Sequence, residues 1–138
     1  MSLPIILALG GLVGFGLSNF LWKVAGINKV YPPSFMVVET LVVLTVAIAI
    51  HFFQNQSFVL APRMAGVASM AGLSAGFAIF ATMSAFNLGG DASIVSPITS
   101  LGFVVAVLLA YILLKEPVTS TKLIGTGLAI VAIVFLSR

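Results

Sequence analysis

Five apolar stretches fill almost the whole chain, and the links between them are too short to hold a soluble domain. They run from about Leu3 to Ala25, Ser34 to Phe53, Met64 to Phe86, Ala92 to Leu114 and Thr121 to Ser137. A hydrocarbon core about 30 Å thick is crossed by about 20 helical residues, so each stretch suits a span, the fifth being short. Strands of alternating polarity are absent, and an open sheet leaves backbone groups unsatisfied in lipid. Helices follow, and the tight links force neighbours into antiparallel hairpins. The expectation is an all-α membrane protein with five transmembrane helices, forming one domain over residues 1–138 without internal repeats.

Composition narrows the function classes. Hydrophobic residues make up 61% of the chain, charged residues 7%, and the mean hydropathy is +1.28. A soluble domain of this size has to place most of its residues against water, which excludes that class. The N-terminus has no positively charged region ahead of its apolar run, and that run outlasts any cleavable leader, so it reads as a retained span. Six basic residues are spread along the chain and form no patch, so nucleic acid is not an expected partner. There is no cysteine and one histidine. No His/acid cluster suits a metal and no serine has an adjacent base, so neither an enzyme nor a metal site is expected. His51, beside Phe52 and Phe53 at a span end, reads as an interfacial residue.

The charges divide evenly across the membrane. Lys23, Lys29 and Arg138 belong to one side, and Arg63, Lys115 and Lys122 to the other. The positive-inside rule then prefers neither orientation. Two topologies stay open: a single one set by Lys23 and Lys29 near the first span, and a dual one.

Small residues mark close helix approach, which has to replace the hydrophobic drive that lipid removes. Gly10 and Gly14 stripe the first span, Gly72 and Gly76 the third, and Gly125 the fifth. The third span, small on several faces, is expected to be the most enclosed. Trp22 and Lys23 read as an interfacial anchor pair.

Polar residues inside spans are the candidate site. Glu39 lies five residues past Ser34, roughly 8 Å along a helix rising about 1.5 Å per residue. A carboxylate at that depth has to be paired, hydrated or protonated, and could exchange a proton for a cationic or polar substrate. A wetted acid in the second helical turn is the structural alternative. Ser93, Ser96 and Ser100 surround Pro97, which cannot bond the Ser93 carbonyl and is expected to bend the helix there. Hydroxyls lining a cavity, or serines bonding back to their own helix, both fit this pattern. Asn19 faces the same cavity or joins helices. Asp91 and Glu116 fall in links.

The C-terminal part carries a more specific pattern. The stretch AFNLGGDASIVSP, Ala85 to Pro97, is followed by an apolar helix ending at Lys115 and Glu116, then by Gly125 in the last span. This resembles the EamA repeat of the drug/metabolite transporter superfamily, in which a helix ends in Ala–x–x–x–Gly. An Ala–Ser pair, a helical proline, a Gly–acid pair and a last-helix glycine then follow. Here Lys115 stands where glycine is common, Trp22 comes later than the family's tryptophan, and Glu39 replaces a residue that is basic in many members. The resemblance therefore assigns Glu39 no role, and its candidacy rests on depth alone. It implies a ten-helix working unit made of two five-helix repeats of opposite topology, of which this chain has one. The expected protein is a half-unit of a secondary transporter in the lipid bilayer of a prokaryotic inner or cell membrane. It would move a small metabolite or amphiphilic solute by alternating access, as an antiparallel homodimer or with a related half-transporter. No cofactor is implied; coupling to protons through Glu39 is an expectation. An accessory subunit of a flippase or other membrane complex is the alternative.

Overall fold

The computed structural model describes residues 2–117 and 119–136. The described residues form helices α1 (Leu3–Ile27), α2 (Pro32–Gln54), α3 (Pro62–Asn87), α4 (Ala92–Ser100), α5 (Gly102–Leu114) and α6 (Ser120–Leu136). No strand occurs among them. The first three match the expected spans, each a few residues longer. The fourth span is one apolar stretch, Ala92–Leu114, broken into two helices at Leu101. α6, at 17 residues, sits at the lower limit for a crossing. Ser137 and Arg138, to which the last span's end and one of the counted charges were assigned, lie outside the described residues.

Local chemistry sets the boundaries. Pro32 and Pro33 open α2, and Pro62 opens α3, where a missing N–H costs nothing because the first amides have no helical partner. α1 closes through Lys29, whose φ of 53° is left-handed. The Val30 amide reaches back to the Ala25 carbonyl at 3.1 Å and the Lys29 amide to Gly26 at 3.0 Å. This pair of bonds satisfies two terminal carbonyls and turns the chain sharply. α5 closes in a wider version of the same turn: Lys115 has φ 55°, and the Lys115 and Glu116 amides both return to the Ala110 carbonyl.

The helices form two compact units. One runs from Trp22 to Leu88 and contains the end of α1 with α2 and α3. In it α2 packs on α3, and the end of α1 meets the end of α3, as consecutive hairpins require. Its core is Ala25, Gly26, Thr82, Met83 and Phe86, the last two fully enclosed. The other unit takes α1 as far as Leu21 together with α4, α5 and α6. There α4 packs against α5 and α6, and no described residue is buried. The apolar side chains of the spans, Val43, Leu73 and Leu128 among them, are exposed by the chain and suit a lipid surround.

The enclosure expected of the third span is confined to the last turns of α3; its first half is exposed. The expected packing glycines are open as well. A Cβ added at Gly10, Gly14, Gly72, Gly76 or Gly125 would meet no other element within 4 Å. The close approach is made instead at Gly26, where an added Cβ would lie 2.6 Å from the Phe86 Cβ and 2.9 Å from its backbone carbon.

Candidate functional site

Trp22 and Glu39 form the main polar contact inside the Trp22–Leu88 unit. The Trp22 indole Nε1–H donates to both carboxylate oxygens of Glu39, at 3.1 Å and 3.2 Å. α1 supplies the donor in its penultimate turn and α2 the acceptor in its second. Both side chains are half-buried. Glu39 is thus held by a neutral donor, which satisfies part of its hydrogen-bonding capacity without cancelling its charge. The expected anchor pair is used within the protein: Trp22 binds Glu39, and the Lys23 ammonium sits 5.7 Å from the centre of the Phe86 ring.

Below this contact, the first link clasps the end of α3. The Lys29 ammonium donates to the Asn87 carbonyl, one of the terminal carbonyls that α3 leaves without a helical partner. The Asn87 side chain donates back to the Val30 carbonyl at 2.9 Å. Its Oδ1 is buried without a hydrogen-bond partner. Sequence reasoning missed Gly26, Lys29 and Asn87 as a group. Lys29 and Asn87 lie 58 residues apart, and no local pattern joins them.

The same unit holds a groove of about 510 Å³ between α2 and α3, walled by Pro33, Met36, Val37, Thr40, Leu41 and Phe80. The α2 residues follow helical spacing, so they form one face of α2. Glu39 is not on that face.

The serine candidates are on α4. The hydroxyls of Thr99 and Ser100 both donate to the Ser96 carbonyl, at 3.0 Å and 2.8 Å. Ser100 is thus tied to its own helix, as the structural alternative required, while Ser96 contributes its carbonyl. Ser93 is exposed in the first turn. The disruption caused by Pro97 appears a turn later than expected. Leu101 bonds Ile98 at 3.1 Å in a tighter three-residue turn, and the helix restarts at Gly102. Two hydroxyls crowding the Ser96 carbonyl, next to a proline, favour that tightening. Asn19, in the other half of α1, donates to the Phe15 carbonyl at 3.1 Å, and its Oδ1 is buried without a partner. His51 lies against Phe52 and Phe58, both ring centres 5.9 Å away.

Among the described residues no group of His, Cys, Asp or Glu could hold a metal ion. What the geometry offers is a half-buried carboxylate, held by an indole inside an apolar helix pair. No curated protein and no solved structure matches the chain. The family comparison does match, over residues 2–138, and takes in all five spans with the Ala85–Pro97 segment and the Lys115–Glu116 turn. With its apolar helices, that coverage makes this an integral membrane protein, and the chain belongs to the EamA-like transporter family.

Proposed function

We propose that the chain is half of a secondary transporter, moving a small metabolite or amphiphilic solute by alternating access in an inverted pair. The observation that carries this reading is the Trp22–Glu39 contact, because a carboxylate set within an apolar span is a site where proton and substrate can compete. A cationic or polar solute would displace the indole N–H from Glu39 and take its place. Within the other unit, Ser93, exposed in the first turn of α4, and Asn19, whose Oδ1 has no partner, are the candidates for further polar contacts with the solute; Ser96 and Ser100 are engaged within α4, which Pro97 shapes. The even distribution of charge supports dual topology, in which a second, inverted copy completes the ten-helix unit.

The accessory-subunit reading draws on the same contact, since an indole–carboxylate bond also ties α1 to α2. Proteoliposomes separate the two. A pH dye trapped inside vesicles, challenged with a panel of small amines and amphiphilic cations, reports exchange. The transporter reading expects solute-dependent dye response in the native protein and its loss in Glu39→Gln. A silent native protein, giving the same record as Glu39→Gln, supports the accessory role. The absence of cysteine makes topology directly readable: single cysteines near each terminus are labelled from one side of intact cells. Termini that all face one side sink the inverted homodimer and leave the related half-transporter.

A further inference from the structure

The end of α5 and the start of α6 border an open hollow of about 330 Å³ that the transport reading does not use. Its floor is apolar, with Ala106, Val107 and Ala110 from α5. Its mouth carries Tyr111, Glu116 and Lys122. The backbone explains why these meet. Left-handed Lys115 turns the chain so that the Glu116 amide returns to Ala110, which brings Glu116 back over the last turns of α5. Thr119 stands just before α6: its carbonyl accepts from Leu123 at 3.1 Å and its hydroxyl from the Lys122 amide at 3.4 Å. This sets Lys122 in the first turn, at the same mouth.

Glu116 and Lys122 therefore line one hollow with opposite charges. Glu116 is a partner for a cation and Lys122 for an anion. The apolar floor suits methylenes, and Tyr111, 56% exposed, offers a ring and a hydroxyl at the border. The hollow lies where a span meets its link, the depth at which headgroups sit. At the lower end of the usual range for ligand sites, about 300–1,000 Å³, it takes a headgroup and little more.

We infer that this hollow binds a phosphoethanolamine-type zwitterion, its phosphate on Lys122 and its ammonium on Glu116. A membrane aminophospholipid supplies this headgroup with chains that continue over the apolar floor; free phosphoethanolamine supplies the same two groups without them, its monoester phosphate more negative than the lipid's diester. The site does not depend on the transport cycle proposed above.

The test uses the full chain, purified and delipidated in detergent, with bound lipid counted by native mass spectrometry. Phosphatidylethanolamine is set against phosphatidylglycerol, whose headgroup lacks the ammonium, and soluble phosphoethanolamine is added in a parallel arm. The native chain is expected to favour phosphatidylethanolamine by roughly threefold, the scale of one exposed charge pair. Glu116→Gln should bring that ratio to about one, because the anion contact stays and the ammonium contact goes. Lys122→Gln should lower binding of both lipids, and Ala110→Phe, which fills the floor, should do the same with helicity by circular dichroism unchanged. Displacement of the lipid by soluble phosphoethanolamine assigns the site to the free headgroup; no displacement assigns it to the lipid. Equal binding of the two lipids by the native chain, or a preference that survives Glu116→Gln, overturns the inference.

Discussion

The unit from Trp22 to Leu88 closes on itself, whereas α4, α5 and α6 do not. All the buried described residues lie in the first unit, at the ends of α1 and α3. There a glycine lets two backbones meet, an ammonium caps α3, and an indole holds the carboxylate of α2. The second unit buries none of its described residues, although it contains Pro97, Glu116 and Gly125. The difference lies in what joins apolar helices. Lipid removes the hydrophobic reason to associate, so helices hold together where small residues allow close approach or polar groups pair. The first unit has both kinds of contact. The second turns the Thr99 and Ser100 hydroxyls back onto α4 and keeps Gly125 facing open space.

The largest expected effect tests that contrast with one methyl group. Gly26→Ala puts a carbon 2.6 Å from Phe86 and 2.9 Å from its backbone, so α1 or α3 has to move. Overpacking of this kind should cost about 3 kcal/mol, read as a lowered Tm in detergent. Gly125→Ala meets nothing and should stay within about 0.5 kcal/mol of the native chain. Equal shifts in the two variants would remove the distinction between the units.

Next in size is the indole bond. Trp22→Phe keeps a ring and removes the N–H, leaving the half-buried Glu39 carboxylate without that donor. A loss of about 2 kcal/mol is expected at neutral pH, the scale of a hydrogen bond to a charged group. In a Glu39→Gln background the same change should cost less, since an amide is easier to leave without a partner than a carboxylate. A double-mutant cycle on Tm measures the coupling, and additive losses would show that the contact carries none.

The fold was legible in the sequence because bilayer thickness alone fixes the period: spans of about the right length, divided by Pro32–Pro33 and Pro62, could be placed without knowing what touches what. The break at Leu101 was legible only as a disturbance near Pro97, since its position depends on which carbonyl Thr99 and Ser100 choose. Glu39 stood out by its depth, but its partner did not, because Trp22 reads equally well as a membrane-surface anchor. The glycine spacing does not single out the contact made within the chain. Small-residue spacing shows where a helix could be approached, and only the three-dimensional path of α3 shows that the approach falls on Gly26. Lys29 and Asn87 carry no joint signal at all, because their contact spans two hairpins.

The two left-handed lysines bring the comparison to its finest scale. Lys29 and Lys115 adopt nearly the same φ, 53° and 55°, at the ends of α1 and α5. The Lys29 ammonium is engaged on the α3 carbonyl, so Lys29→Met should cost about 1.5 kcal/mol, a charge-assisted hydrogen bond. Lys115 lies at the edge of an exposed turn, and Lys115→Met should change little. Glycine separates backbone from side chain at both places. The left-handed conformation costs a lysine about 1 kcal/mol that glycine does not incur, less what the freer unfolded chain takes back. Lys115→Gly should therefore raise Tm slightly. At Lys29 the same relief is set against the lost ammonium contact, and Tm should fall or stay level. A gain at both positions would mean that the Lys29 contact adds nothing, and that the first unit is held by Gly26 and the indole bond alone.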